Sequence, residues 1–427
     1  MNPHASTLAA PPSAPATPLP AGDQRRRNWW LHVLEAGIGI GAMTAINSNT
    51  VGTALVEHLG GAPWAVALVP LLMTMGFSCG PLLSAHHVDR QERFLPVLRR
   101  TMPLSRLALP VIAAVLWWAG DGRFALWTVL AGYLWFGLVG GMGVGAWQQL
   151  VAKTVAPRQR PALFASRYLA SNLIGLGAGL LVTIVLARWP GDHGFALLHL
   201  VALAGCLLSI VLLMQVREHA EAPHPLPHGH GFWRNLREAP ALVLGDRDLR
   251  LYLLSAVLLG SQYLLVGFLA LHARDVLGRG DDYIGTLTAA QMVGAVAGTM
   301  FAAWRGNHHG SRSLLLIARG LLLATALGAL VAGSDWAFRA LFACYGAAFW
   351  IALVGNNAIT LELLPPARRA TVLAVAGAVQ VPSMIVAAQV GAWLWHAQVA
   401  FAWIAALSAL GLLASLLTML PVRTKRG

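Results

Sequence analysis

The chain of 427 residues contains few charged side chains and only three cysteines. Charged residues make up 11% of the chain and hydrophobic residues 57%, whereas soluble domains contain about 25% charged residues. The mean hydropathy is +0.63. A soluble fold could not bury this much apolar surface, so the composition excludes an ordinary soluble protein and predicts an integral membrane protein.

The sequence also lacks the short motifs of several enzyme classes. It contains no nucleophile elbow, zinc-protease helix or phosphate-binding loop, so we predict no enzymatic activity and no cofactor. The cysteines lie inside apolar runs, which predicts core side chains rather than disulfides. A histidine cluster matches no compact zinc template, so we predict no metal site there, with metal regulation as the alternative. The cluster consists of His219, His224, His228 and His230.

Apolar runs of about 20 residues recur along the chain, and each could cross about 30 Å of hydrocarbon as a helix. We predict twelve spans, numbered 1 to 12 in chain order. They lie at 33–57, 63–85, 103–120, 124–151, 162–187, 194–216, 251–275, 283–304, 312–333, 337–363, 368–393 and 397–420. The predicted fold class is an all-α integral membrane protein with two pseudo-symmetric six-helix bundles.

The net charge of +13 indicates orientation rather than nucleic-acid binding. With twelve spans, 25 of the 30 Lys and Arg residues lie on the side of the termini, and the positive-inside rule then predicts cytoplasmic termini. We expect a monomer in a bacterial inner (plasma) membrane. The predicted divisions are a disordered tail (1–28), an N-terminal bundle (29–217), a linker with an amphipathic segment (218–250), a C-terminal bundle (251–420) and a short tail (421–427).

Similar sequence blocks recur in the two halves. LMTMGFSCGPLL in span 2 contains Gly76 and Gly80, and AQMVGAVAGTMF in span 8 contains Gly294 and Gly298, 218 residues later. Paired small residues often mark only helix packing. Because a second pair of blocks follows spans 4 and 10 in the same order, we predict a six-plus-six duplication, which is typical of transporters.

These features resemble the major facilitator superfamily over nearly the whole chain. GPLLSAHHVDRQERF is similar to the family's signature between spans 2 and 3, and PPARRA after span 10 is also family-like. The resemblance implies a cytoplasmic latch between the halves formed by Asp89, Arg90 and Arg93, with a solvated loop as the alternative. The helix 5 motif of drug/proton antiporters and the sugar-porter signature are missing, so the subfamily stays unassigned.

Polar side chains lie at intermediate depth in several spans. INSNT, residues 46–50, interrupts apolar span 1 about 15 Å from its outer end, taking 1.5 Å per helical residue. Unpaired amides facing lipid are costly, so we predict that these side chains line a wet cavity, with hydrogen bonding between helices as the alternative for each one. The predicted cavity residues are Asn47, Asn49, Gln148, Asn172, Gln262, Tyr263, Gln291, Asn356, Asn357 and Gln380.

The predicted cavity lacks fixed charge, which favours a neutral or amphiphilic small organic substrate over an anion. Arg167 and Arg319 are expected to extend toward the cytoplasmic interface. Glu35 and Glu362 are the candidates for proton coupling, and Lys153 either pairs with Glu362 or makes separate contacts. The predicted function is secondary transport by alternating access, with export favoured over uptake. The alternative is a membrane sensor or lipid-handling protein with a transporter fold.

Overall fold

A computed structural model describes residues 22–88, 91–118, 122–156, 159–218, 245–363 and 369–423. Within these ranges the chain is largely helical and contains no strand. This agrees with the sequence prediction, because a backbone inside hydrocarbon has to satisfy its own N–H and C=O groups, and a helix does so within one segment.

In the described residues of the first half, spans 1 and 3 each consist of two helices and the other four spans of one. A short 3₁₀ turn, Met43–Ile46, separates the first helix from the INSNT stretch. The helices are α1 (Gly22–Ala42), α2 (Val51–His58), α3 (Pro63–Val88), α4 (Leu95–Arg106), α5 (Ala108–Trp118), α6 (Gly122–Thr154), α7 (Arg160–Arg188) and α8 (Asp192–Met214).

The second half follows the same plan. Spans 8 and 9 belong to the single helix α11, which is interrupted at Gly310, where φ is 72° and ψ is 174°. Eleven segments of the described chain are long and apolar enough to cross a membrane, and span 11 is a 28-residue helix. The helices are α9 (Arg247–Leu259), α10 (Tyr263–Leu277), α11 (Asp282–Ala329), α12 (Asp335–Leu363), α13 (Arg369–His396) and α14 (Phe401–Met419).

Two helices begin before the predicted start of their bundle. The predicted tail reaches residue 28, but α1 begins at Gly22. Asn28 is fully buried, and its side chain donates to the carbonyl of Arg217 and accepts its N–H, both at 3.2 Å. These bonds attach α1 to the end of span 6. The predicted linker ends at residue 250, but α9 already begins at Arg247, because the Asp246 side chain caps its first turn at 3.0 Å. The predicted amphipathic segment up to residue 244 and the linker histidines lie outside the described residues.

The recurring glycines pack in equivalent places in the two halves. A Cβ added at Gly76 or Gly80 would overlap the backbone of span 4, and one added at Gly294 or Gly298 would overlap the backbone of span 10. Each glycine pair therefore allows two helix backbones to approach closely, which side chains would prevent. The sequence similarity between the halves thus corresponds to equivalent helix pairs in the fold.

The two halves meet mainly where span 5 packs along span 8 and span 2 along span 11. Gly179 and Ala289 are in close contact in the first of these interfaces, as are Gly285 and Thr183. We call the face that holds the start of α1 and the ends of α8 and α14 the terminal face, and the opposite one the distal face. Large apolar side chains such as Trp118 cover the outside of the bundle, as expected for lipid contact.

Candidate functional site

The INSNT stretch breaks span 1, which the sequence analysis treated as one continuous helix. Asn47 adopts φ −51° and ψ 119°, outside the helical region. Its side-chain oxygen accepts the N–H of Asn49 at 2.9 Å, and its carbonyl accepts the N–H of Gly52 at 2.9 Å. Polar side chains are needed here because the break removes helical partners from backbone groups that lie within an apolar span.

Span 7 changes its hydrogen-bond pattern without leaving the helix. A 3₁₀ turn, Gly260–Gln262, joins helices α9 and α10, and the backbone angles of Gly260 and Gln262 stay helical. Gly260 lies against Ser383 of span 11, where a Cβ would come within 2.7 Å of the serine oxygen. The predicted cavity residues Gln262 and Tyr263 lie at this turn, Gln262 half-buried and Tyr263 buried. Span 1 is therefore broken, whereas span 7 only contains a tighter turn.

The break in span 1 positions polar groups against the second half of the protein. The Asn47 side chain donates to the Gln291 side-chain oxygen of span 8 at 3.2 Å. One turn away, the hydroxyls of Thr50 and Thr288 are 2.7 Å apart. Gln291, Thr50 and Thr288 are all buried. Two residues predicted from sequence to share a cavity, Asn47 and Gln291, are therefore in direct contact.

Further contacts reach span 10. The Asn49 side chain donates to the Tyr345 hydroxyl at 3.5 Å, so a second predicted residue also bonds across the halves. Toward the terminal face, the ring centroids of Tyr168 in span 5 and Trp350 in span 10 are 5.1 Å apart. This ring contact also joins the two halves.

Asn172 of span 5 contributes another bond between the halves. Its side chain donates to the Thr299 hydroxyl of span 8 at 2.9 Å, and both residues are buried. The side-chain oxygen of Asn172 is buried without a hydrogen-bond partner among the described residues. We call this set of uncharged side chains the polar band; it consists of Asn47, Asn49, Thr50, Asn172, Thr288, Gln291, Thr299 and Tyr345.

Other predicted residues lie elsewhere or cannot be placed. Gln148 is exposed, Gln380 is half-buried, and Asn356 accepts a hydrogen bond from Tyr252 of its own half at 3.2 Å. Arg93 of the predicted latch is exposed. Asp89 and Arg90 lie outside the described residues. The side chains of Asn357 and Glu362 are likewise not described.

The sequence analysis missed a buried ion pair. Arg167 was expected to extend to the interface, but it is 3% exposed, and its guanidinium donates to Glu35 at 2.7 Å. It also donates to the His32 carbonyl at 2.6 Å and lies 4.4 Å from the ring centroid of Trp147. The expectation is wrong because Glu35 of the neighbouring span satisfies the charge inside the bundle.

The same expectation is wrong for Arg319 in the second half. It is 2% exposed, and its Nε donates to the hydroxyls of Ser255 and Ser415 at 2.8 and 3.2 Å. These hydroxyls belong to spans 7 and 12. Arg319 therefore joins three spans of one half through neutral acceptors instead of reaching the interface.

Two charged contacts lie near the faces. On the terminal face, Lys153 is 3.9 Å from Glu218, whose carboxylate also accepts the N–H groups of Phe94 and Leu95 at 2.7 and 2.9 Å. The side chain of Glu362, the predicted partner of Lys153, is not among those that the structure describes. On the distal face, Glu57 of span 1 and Arg274 of span 7 form an ion pair at 2.7 Å, which joins the halves.

Comparison with known proteins identifies the family. A family profile described as Major Facilitator Superfamily matches residues 98–388. The chain belongs to the Major Facilitator Superfamily. No curated protein matches the sequence.

Solved transporter structures share this superfamily fold. A bacterial homologue of the iron transporter ferroportin in an inward-facing state is 15% identical, with a TM-score of 0.67 over 92% of this chain and 98% of that one. A variant of the nucleoside transporter NupG is 10% identical, with a TM-score of 0.69 over 92% and 99%. A D-xylose–proton symporter is 18% identical, with a TM-score of 0.66 over 92% and 97%. The superfamily indicates membrane transport, and these neighbours share its fold.

In this superfamily member, the polar band offers hydrogen bonds without net charge. Amides both donate and accept, and hydroxyls can reverse their role. If the halves separate at this level, each broken bond leaves a donor and an acceptor that water or a polar solute can occupy. The band can therefore close the path between the halves or bind a neutral solute, depending on the state of the protein.

Proposed function

We propose that the protein is a secondary active transporter that moves a neutral or amphiphilic small organic molecule by alternating access. The observation that carries this proposal is the direct bonding of Asn47 to Gln291 across the two halves. A rocking motion of the halves would break such bonds and expose the same groups to a substrate near the midplane.

The proposed substrate is uncharged at its binding end because the polar band consists of amides and hydroxyls. A phosphate or dicarboxylate would call for an arginine fork, and the guanidinium of Arg167 is already paired with Glu35. The structural neighbours are described as transporters of iron, nucleosides and D-xylose, so the fold alone does not choose among substrates.

The proposed binding set consists of the polar band and the remaining predicted cavity residues. We include Gln262 and Tyr263 because they lie at the 3₁₀ turn in span 7. Gln148, Asn356, Asn357 and Gln380 stay in the proposal as candidates that substrate would contact in another state. The latch of Asp89, Arg90 and Arg93 also stays a prediction.

We further propose proton coupling and export as the direction of transport. Protonation of Glu35 would remove the carboxylate charge that now holds Arg167, which gives protonation a structural consequence. Glu362 is the second coupling candidate. The excess of basic residues supports a cytoplasmic position for the terminal face, and we expect a monomer in a bacterial inner membrane.

A thermal-shift screen in detergent tests the binding site. The panel contains neutral metabolites, sugars, amphiphilic drugs and lysolipids, because a ligand that binds the folded state raises its apparent stability. We expect a stabilising compound in the wild type whose effect is lost in the Asn47→Ala variant. Counterflow of that compound in proteoliposomes then measures transport.

Asn28→Ala is the matched control, because Asn28 is also a hydrogen-bonded asparagine of span 1 but bonds to Arg217, remote from the polar band. This variant should be less stable and still respond to the compound. If Asn47→Ala retains the full shift, the polar band is only interhelical packing and the proposed site is wrong. Binding without counterflow would favour sensing or lipid handling over transport.

A further inference from the structure

A basic pocket lies on the terminal face, outside the polar band. Its volume is about 530 Å³, and its walls come from the start of α1 and the start of span 5. The described residues that line it are Arg25, Arg26, Trp29, Gln159 and Ala162.

The arginines of this pocket differ from two arginines that are paired with carboxylates elsewhere in the described chain. Arg167 and Arg274 each have a carboxylate within 2.7 Å. Among the described residues, neither Arg25 nor Arg26 forms an ion pair, and the Nε atom of Arg25 is buried without a hydrogen-bond partner. A buried guanidinium nitrogen without a partner is costly. The pocket therefore presents positive charge and at least one unused donor to whatever enters it.

The aromatic wall of the pocket indicates the depth at which it lies. Trp29 is half-buried, and its ring centroid is 4.9 Å from that of Trp30 in an edge-on arrangement. Trp30 is 49% exposed. Tryptophan concentrates at the level of lipid headgroups, and basic pockets between helix ends at that level can bind anionic headgroups.

We propose that this pocket binds a phosphate-bearing anion, with the headgroup of an acidic phospholipid as the expected source. Guanidinium groups match phosphate through paired charge-assisted hydrogen bonds. A bound phosphate would give Arg25 and Arg26 the anion that the described residues do not supply. It would also join the start of α1 to the start of span 5.

Native mass spectrometry of the intact protein in detergent tests this site. The probes are dioleoylphosphatidylglycerol, dioleoylphosphatidylcholine and inorganic phosphate. We expect the anionic lipid to remain bound in preference to the zwitterionic one. Because loss of a charge-assisted hydrogen bond to a phosphate weakens binding about tenfold or more, the double variant R25Q/R26Q should bind the anionic lipid at least about tenfold more weakly. Displacement of the lipid by millimolar phosphate would assign the site to free phosphate anions instead.

The double variant R27Q/R99Q is the charge-matched control. Arg27 and Arg99 are exposed on the same side of the protein and do not line the pocket. Hydrogen–deuterium exchange at residues 23–30, with and without lipid, provides a readout that does not depend on overall stability. Equal weakening in both double variants would overturn the proposal, because binding would then reflect surface charge alone. So would equal retention of the two lipids together with no effect of phosphate.

Discussion

Glu35 and Arg167 place opposite charges inside the first half of the bundle. The carboxylate and the guanidinium are 2.7 Å apart, and both residues are less than 10% exposed. A buried charge that loses its partner destabilises a protein strongly, whereas replacing both charges with apolar groups is often neutral. Replacing one charge, and then both, therefore distinguishes two roles for the pair: charge compensation and simple packing.

We predict that Glu35→Gln destabilises the protein by about 3–5 kcal/mol, because it keeps the side-chain shape and leaves the Arg167 charge uncompensated. The double variant Glu35→Leu/Arg167→Met removes both charges and should recover most of this loss. Thermal unfolding in detergent measures both changes. Glu92→Gln, at an exposed carboxylate, should stay within about 0.5 kcal/mol of the wild type.

A double variant as unstable as Glu35→Gln would contradict charge compensation and would favour packing.

At the scale of single residues, the sequence predicts the depth of a side chain better than its contacts. The depth of Asn47 follows from counting residues along a helix of known rise, and its contact with Gln291 agrees with the predicted shared site. The partner of Arg167 depends on which spans are neighbours and how each is rotated, and one sequence does not contain that information.

Helix backbones lie in close contact between spans 2 and 4 of the first half and between spans 8 and 10 of the second half. At Gly294 an added Cβ would overlap the carbonyl oxygen of Ala343. The oxygen belongs to a helix backbone, which cannot move aside as a flexible side chain can. At Gly177 of span 5, by contrast, no atom lies within 4 Å of an added Cβ.

We predict that Gly294→Ala destabilises the protein by about 1–3 kcal/mol or more, because the added methyl forces spans 8 and 10 apart. Gly177→Ala should have no destabilising effect and makes the same chemical change in a span of similar length. The midpoint of thermal unfolding compares the two variants. Equal midpoints would mean that the glycine pair is not a packing contact.

The helices could be predicted well from the sequence, and their interruptions could not. Length and hydropathy determine where a chain crosses lipid, so the predicted spans agree with the helices to within several residues at most ends. The break at Asn47 and the 3₁₀ turn at Gly260 depend on hydrogen bonds and contacts with other spans. The extension of α1 to Gly22 likewise depends on the bonds between Asn28 and Arg217. These are tertiary causes, which override local pattern.

For the whole molecule, the distal ends of the halves are held together by polar contacts. The Glu57–Arg274 ion pair lies at that face, and the bonds of Asn47 and Thr50 lie deeper in the same path. Arg274 also contacts Asp281 at 2.9 Å, so it keeps a carboxylate partner when Glu57 is replaced. The Glu57 contact can therefore be removed without leaving an isolated charge.

We predict that Glu57→Gln shifts the protein toward a state in which the distal ends are apart. An ion pair of this exposure contributes about 0.5–1 kcal/mol, which corresponds to a two- to fivefold change in the ratio of the two states. Spin labels at Ala62 and Arg279, one in each half, in a background with the three cysteines replaced, would report the change as a larger long-distance population in double electron–electron resonance.

Asp335→Asn is the matched control for this shift, because it also removes one negative charge. It breaks the Asp335–Arg339 ion pair, which is also 2.7 Å long, partly exposed and on the distal face, but which lies within one helix. Because that pair does not join the halves, its loss should leave the distance distribution unchanged. A shift of the same size in both variants would mean that net charge, not the contact between the halves, controls opening. No shift in Glu57→Gln would mean that the deeper polar band alone holds the distal face closed.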